Sequence, residues 1–431
     1  MDERARRFIS SRDENILLIY GIKKSGKTSY IKNSIKGRKE KVLYYEFKNT
    51  NERENFLLFR ERVHLLTGLE SKSEDFDLLF KEISMMENHL IIILESADLL
   101  FRFSSDIAYR WVKECAKQHR IVLTTDDSAF FQQASKDDAF VTIEKSTAKY
   151  YESFDSLHSL PLQRQLMFYL VFGSSEFAVN LIDPEESLKR NVRNLLITQE
   201  SPITEYIEHE LFENLGKKSY AFLILSLLKD RRMKYGDLVE LSGQKYNGLL
   251  DKQLNILISL GLVEKSYPIN RKVDRKKVLY EISDNLLRFY FRFIYPNRDL
   301  AEIIGSKAYY EKYVEGELDE YIRTSLRTIL RKYLERAAED GKFGSINLIG
   351  RYHVSDEDEE EIAMISDGSE RIYSIFYEKR VDDEMMEKER RRISEKTGGK
   401  ASLGLFSTSG FTFPSDGKAC ISLKDIFSIK P

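Results

Sequence analysis

Cysteine is nearly absent from this chain of 431 residues: Cys115 and Cys420 are the only two. They form no CxxC pair and no disulfide framework, which excludes a disulfide-stapled scaffold and fits a reducing compartment. Long apolar runs are absent too. None reaches the roughly 18 residues of a membrane helix, so no membrane partner is expected. The start, Met1-Asp-Glu-Arg-Ala-Arg-Arg, lacks the apolar core of a signal peptide, and a cytoplasmic location is expected. An excess of one charge sign is also missing. Lys and Arg number 68 and Asp and Glu 70, for a formal net charge of −2. No global basic surface announces nucleic acid, so any such surface must be local.

What is present is the composition of a packed protein. Hydrophobic residues make up 42% and aromatics 12%, enough for globular cores. The length suits about three domains.

The most informative segment is Ile16 to Thr28. An apolar strand, Ile16 to Tyr20, runs into G-x-x-x-x-G-K-T at Gly21 to Thr28, and a helical stretch follows from Ser29 to Ile35. Glycines let such a loop curl so that successive N–H groups point inward at phosphate oxygens. The positive end of the following helix favours the same anion. Gly21, Lys24, Ser25, Gly26, Lys27, Thr28 and Ser29 are the candidate nucleotide contacts. Lys27 would reach the β- and γ-phosphates, and the Thr28 hydroxyl would ligate Mg²⁺. Strand, loop and helix stand in the order the motif demands. ATP and Mg²⁺ are the expected ligands.

Strands and helices alternate through the first 145 residues. Lys41 to Phe47, His89 to Leu94 and Arg120 to Thr124 read as strands, with Val141 to Ile143 as a last one. Glu52 to Leu66, Phe76 to Met86 and Ile107 to Gln118 read as helices, with apolar residues every three or four. This alternation predicts a three-layer α/β domain with a parallel sheet. Helices dominate from Lys149 to about Lys217. Ser219 to Tyr280 reads as a winged helix: a helix, a helix-turn-helix around Ser242-Gly243, then two strands joined by a basic loop. Ile282 to Tyr295 is an aromatic helix suited to a core between domains. Lys307 to Ala338 reads as a long helical stretch, rich in Tyr and Arg. Strands and one helix, Asp382 to Lys396, fill the remainder. The expected domains are 1–148, 149–217, 218–298 and 299–431.

A P-loop ATPase needs a carboxylate at the end of a neighbouring apolar strand to hold the Mg²⁺ shell, and usually an adjacent Glu to polarise water. The segment Ile91-Ile92-Ile93-Leu94-Glu95-Ser96-Ala97-Asp98 allows two registers. In one, Leu94 replaces the metal-side Asp and Glu95 is the catalytic base. In the other, Glu95 holds the metal and Ser96 stands where the base belongs. Either way one carboxylate remains at the strand end, with Asp98 three residues beyond. Thr125 or Asp126, at the tip of the next strand, can sense the γ-phosphate, and Asp127 suits a helix N-cap. Arg102 or Arg110 could serve as an arginine finger in trans. The loop Tyr267 to Lys277 carries Arg271, Lys272, Arg275, Lys276 and Lys277 against Asp274. That density suits contact with the phosphates of double-stranded DNA.

The chain resembles the archaeal P-loop ATPases, a branch of the AAA-like and STAND NTPases. The carriers are Gly21 to Thr28, Ile91 to Glu95, Tyr169 to Phe177 and Tyr280 to Phe293. The resemblance implies an ATPase core, a helical lid, a winged helix and a restriction-endonuclease-like C-terminal domain. In the lid segment Gly173 is followed by Ser174 and no Pro. The segments at Ile349, Glu361, Phe376 and Leu405 look like the nuclease-like part. An active nuclease of that type needs an Asp on one strand and Glu-x-Lys on the next. Here the Asp position falls on Ala363 or Glu361, and the second strand offers Tyr377-Glu378-Lys379 or Glu378-Lys379-Arg380. Neither register completes the set, so a dead nuclease fold is expected. The expected function is an ATP-binding switch with weak hydrolysis. The alternatives are a DNA-binding winged-helix protein with a vestigial ATPase, and a Mg²⁺ nuclease using Glu361 and Glu378. Oligomer formation stays open.

Overall fold

The structure, a computed structural model, describes residues 8, 15–21, 25–35, 40–103, 105–144, 157–211, 220–243, 248–271, 278–345, 348–353, 360–366 and 368–428. The chain forms two compact units, Met1–Thr147 and Ala148–Pro431.

The first unit holds strand β1 (Ile16–Tyr20), helix α1 (Lys27–Ile35), β2 (Lys41–Glu46), α2 (Glu52–Thr67), α3 (Phe76–Ser84), β3 (Leu90–Glu95), α4 (Ala97–Phe103), α5 (Ser105–Ala116), β4 (Arg120–Thr125), α6 (Ser128–Ala134) and β5 (Val141–Glu144). All strands are parallel, in the order β2-β3-β4-β1-β5. Every residue of β1 and β3 is buried, as a sheet covered on both faces requires. Alternation along the strands then sorts side chains between two cores. Ile91 and Ile93 pack with Leu17, Ile19 and Ile31 of α1. Ile92 and Leu94 pack on the other face with Phe59, Phe76 and Trp111. Helix ends follow local chemistry. The Asn51 side chain accepts from the Glu54 amide at the start of α2, and Gly68, at φ 79°, ends it. Asp127 caps α6 through the Ala129 and Phe130 amides.

In the second unit, α7 (Leu162–Phe172), α8 (Glu176–Asn180), α9 (Leu188–Val192) and α10 (Pro202–Glu205) form the helical segment, the last two running on as π-helix. The winged helix follows: α11 (Ala221–Leu228), β6 (Met233–Lys234), α12 (Tyr235–Leu241), α13 (Leu249–Ser259), β7 (Val263–Ser266) and β8 (Leu279–Ile282). Its sheet has three antiparallel strands, β6-β8-β7. The aromatic segment begins as α14 (Asn285–Phe289) and continues as π-helix to Ile294. Phe289, Tyr290, Phe291 and Phe293 are buried. The Tyr321 hydroxyl donates to the carbonyls of Leu170 and Asn285, at 2.8 and 3.2 Å, which ties α7 and α14 to one core.

The long helical stretch expected from Lys307 to Ala338 runs through the end of α15 (Arg298–Tyr313), which is kinked at Gly305, and through α16 (Leu318–Glu339). The Val314 and Glu315 amides both turn back to the Tyr310 carbonyl, and Gly316 follows, so the backbone ladder stops there. The C-terminal sheet holds β9 (Leu348–His353), β10 (Glu360–Ser366), β11 (Ser369–Phe376), β12 (Ala401–Ser407) and β13 (Cys420–Ser422), with α17 (Asp383–Thr397) between β11 and β12, and α18 (Leu423–Phe427) last. Strands β9 to β11 run antiparallel, then β11, β12 and β13 run parallel. This part is a small mixed sheet: a three-stranded meander, a crossover helix and two parallel strands.

The base of the wing is stitched to this sheet. The Ile269 amide donates to the Arg351 carbonyl at 2.8 Å. Asn270 exchanges hydrogen bonds with the backbone of His353, at 2.9 and 3.1 Å. Edge strand β9 is thereby covered. Gly350 permits the approach, because a Cβ there would lie 2.9 Å from Cγ2 of Ile269.

Candidate functional site

The tips of β1, β3 and β4 converge at the start of α1. The Lys27 ammonium bonds the Gly21 carbonyl at 2.7 Å, spanning the phosphate loop. Gly26 takes φ 81°, a left-handed conformation that suits glycine. Ser25 is 5% exposed, and its hydroxyl has no hydrogen-bond partner among the described residues. Lys24 lies outside the described residues. Ser29 is described in its backbone only.

The Thr28 hydroxyl donates to Oε1 of Glu95 at 2.6 Å. The Tyr44 hydroxyl donates to Oε2 at 3.0 Å. Glu95 is 9% exposed and Leu94 fully buried. Strand parity explains the choice: Glu95 shares its face with Ile91, Ile93 and α1, whereas Leu94 points into the opposite core. Of the two registers open in the sequence, the geometry has Glu95 beside Thr28 and Ser96 at the following position. Ser96 itself holds a left-handed φ of 52°, a strained conformation for a serine. Burial, then the adjacent Glu95 charge, pushes the Tyr44 phenol well above its ordinary range, so this hydroxyl stays a donor.

Strand β4 lies between β1 and β3, which sets Thr125 at the centre of the tips. Its hydroxyl donates to Asp98 Oδ1 at 2.8 Å and accepts from the Asp127 amide at 3.0 Å. Arg102 bridges Asp98 and Asp127, at 3.2 and 3.0 Å. Asp98 is 4% exposed. Burial raises its pKa, and the Thr125 hydrogen bond and Arg102 only partly restore it. Arg102 is thus engaged within its own chain. Arg110 pairs with Asp77 at 3.4 Å. Tyr44 was not among the sequence candidates. Its reach to Glu95 depends on the pairing of β2 with β3, in which Tyr44 stands opposite Ile93, and nothing local encodes that pairing.

These residues fit a magnesium nucleotide. Mg²⁺ typically binds one or two carboxylates and completes its shell with water and substrate phosphates. Glu95 would offer the carboxylate and Thr28 a hydroxyl oxygen beside it, Lys27 would offer a cation to the phosphates, and the Ser25 hydroxyl is buried in the loop.

The other candidates are dispersed. Of the basic loop, Arg271 is described and exposed, and Lys272, Arg275, Lys276 and Lys277 lie outside the described residues. In the C-terminal sheet Ala363 is buried in the core facing Ile393 of α17. Glu361 pairs with Arg392 at 3.2 Å, and Arg392 also holds Glu389 at 2.7 Å. Glu378 is exposed, with φ 53°. Among the described residues no group of three His, Cys, Asp or Glu is placed to hold a metal.

A five-stranded parallel sheet with β4 between the phosphate-loop strand and the acid-bearing strand, and G-x-x-x-x-G-K-T at the β1–α1 turn, defines a P-loop NTPase core. Solved structures similar to the chain include the Walker-type ATPase of Pyrococcus abyssi, with 13% identity and a TM-score of 0.46, covering 67% of this chain and 95% of that one. A STAND protein with a tetratricopeptide-repeat sensor from Pyrococcus horikoshii is similar at 15% identity and a TM-score of 0.30, covering 79% and 52%. The Aeropyrum pernix ORC1 protein, solved in complex with DNA, is similar at 16% identity and a TM-score of 0.30, covering 70% and 92%. Residues 290–393 match a family described as archaeal and bacterial proteins of unknown function. An uncharacterized protein of Methanocaldococcus jannaschii is 36% identical over 84 residues, which are 18% of this chain and 19% of that relative. The chain thus spans about a fifth of that relative's length. Among the described residues no helix is long and apolar enough to cross a membrane.

Proposed function

We propose that this protein binds ATP with Mg²⁺ and works as a nucleotide-dependent switch with weak hydrolysis. The observation that carries the reading is the Thr28–Glu95 hydrogen bond at 2.6 Å. It joins the loop hydroxyl to the one carboxylate at the β3 tip. Glu95 is the metal-side acid and Lys27 the phosphate cation. Thr125 is the polar residue at the β4 tip that responds to the γ-phosphate. Ser96 cannot act as a general base as a Glu would, and loss of such a base costs a factor of ~10²–10⁴ in rate. Binding keeps its loop. The test is ATP affinity and ATP turnover on one purified sample. Micromolar binding with negligible turnover, abolished by Lys27→Ala, is expected. Unchanged fluorescent-nucleotide affinity in Lys27→Ala sinks the reading.

The winged helix with its basic loop supports a second reading, binding of double-stranded DNA. The basic residues of the loop begin at the exposed Arg271, directly after the Ile269–Asn270 stitch that fixes its base. Replacing Arg271, Lys272, Arg275, Lys276 and Lys277 with Ala should abolish a gel shift at low salt, since phosphate contacts dominate such binding. No shift by the unsubstituted chain removes this reading.

A further inference from the structure

Unit two contains a cavity of about 410 Å³ where the wing base, α16 and the edge of the C-terminal sheet meet. Nine Lys and Arg side chains line it against two carboxylates, Asp230 and Glu281. The chain as a whole carries −2, so this concentration of positive charge is local.

Ion pairs account for part of it. Arg331 is paired with Glu264 and Glu335. Arg292 lies 3.3 Å from Glu317 and 3.9 Å from Asp230. Arg232 lies 3.7 Å from Glu281. Arg288 is spent on the Ile282 carbonyl and the Thr328 hydroxyl rather than on a carboxylate. Lys229, Arg231, Lys265 and Arg327 have no ion-pair partner among the described residues. These four come from three elements around one opening: the turn after α11, strand β7 and helix α16. Thr324, Arg327, Thr328 and Arg331 recur at helical spacing and give α16 one continuous polar face toward the cavity. Arg351, only 4% exposed, forms part of the wall.

Like charges gathered in a concave site repel one another unless an anion joins them, and low-dielectric walls focus their field. Guanidinium groups match phosphate oxygens in pairs. The volume falls in the range of small-molecule sites, about 300–1,000 Å³. We propose that this cavity binds a compact anion with two or more linked phosphates, a site separate from the phosphate loop. A concavity of this size favours such a ligand over a nucleic-acid backbone, which is read along an extended surface.

The inference is independent of the ATP reading, and Lys27→Ala keeps the two apart. Inorganic tripolyphosphate is titrated by calorimetry into the full chain carrying Lys27→Ala. Saturable binding of one equivalent is expected. Adding Arg327→Ala or Arg231→Ala should weaken it about tenfold or more, as loss of a charge-assisted bond does. ATP used as the probe in the same background tests whether a nucleoside is tolerated; the same loss in the Arg327→Ala form supports the site with that source of phosphate. Three results overturn the proposal: no binding in the Lys27→Ala chain, binding indifferent to Arg327→Ala and Arg231→Ala together, or a preference for a DNA duplex over tripolyphosphate that those substitutions abolish. Circular dichroism of each variant checks the fold, and both side chains line the cavity from its exposed rim, so their loss leaves the cores intact.

Discussion

Thr28 and Glu95 are 67 residues apart in sequence and 2.6 Å apart through a hydroxyl–carboxylate hydrogen bond. One sits at the first turn of α1, the other at the last residue of β3. Glu95→Gln keeps the size and the acceptor oxygen but removes the charge that a divalent cation needs. ATP affinity in the presence of a chelator is expected to stay unchanged. The gain in affinity on adding Mg²⁺ should shrink about tenfold, the scale of one charged contact. Fluorescent-nucleotide titration with and without Mg²⁺ reads both numbers. A full Mg²⁺ gain in Glu95→Gln would remove Glu95 from the metal-side role.

Tyr44 holds the other oxygen of Glu95 at 3.0 Å. Tyr44→Phe removes that donor and nothing else of comparable size. Glu95 keeps its charge and its Thr28 contact, so the Mg²⁺ gain should fall less than in Glu95→Gln, by about fivefold at most. The double substitution should be no worse than Glu95→Gln alone, because Tyr44 acts through that carboxylate. Additive losses in the same titration would place Tyr44 outside this role.

Asp98 gives the first unit a pH signature. Its pKa is raised on folding, so the folded state takes up this proton before the unfolded state does. Between the raised value and the ordinary carboxylate value the folded state binds more protons, and stability from this group rises as pH falls through that window. Asp98→Asn removes the effect. The free-energy difference between Asp98→Asn and the unsubstituted chain should therefore move against the substitution as pH falls from about 7 to about 4. Trp111, the one tryptophan, is 6% exposed and stacked on Phe80 at 5.3 Å. Its fluorescence in urea titrations reports unfolding of this unit alone. A difference that stays flat over the window contradicts the assignment.

Local chemistry made much of the first unit readable. The strand Ile16 to Tyr20, the glycines of the loop and Lys27 lie in one uninterrupted stretch, and the apolar run before Glu95 marks a buried strand without help from elsewhere. The parity that separates Leu94 from Glu95 was harder to see. In a strand buried on both faces every residue is apolar, and alternation leaves no mark until a polar tip is reached. Tyr44 and the Ile269–Arg351 stitch depend on which strands lie side by side, a property of topology. Strands β6 and β13 have two and three residues, too few for a period. The cationic cavity gathers Lys229, Lys265 and Arg327 from segments spread over nearly a hundred residues, and no one of them carries the whole set.

The C-terminal sheet offers a sharp packing test. Gly404 on β12 pairs with Tyr373 on β11, and the tyrosine ring lies over it. A Cβ at position 404 would stand 2.4 Å from Cδ1 and 2.5 Å from Cε1 of that ring. The ring has nowhere to go: Tyr373 is fully buried, and its hydroxyl donates to the Lys418 carbonyl at 2.8 Å. Gly404→Ala is therefore expected to cost about 3 kcal/mol, the upper part of the usual range for overpacking. Gly236 is the control. It lies within α12 with nothing within 4 Å of its would-be Cβ, and Gly236→Ala should stabilise by about 0.5–1 kcal/mol through helix propensity. Far-UV circular dichroism in urea measures both shifts. A Gly404→Ala midpoint equal to that of the unsubstituted chain would mean that the ring does not cover the glycine.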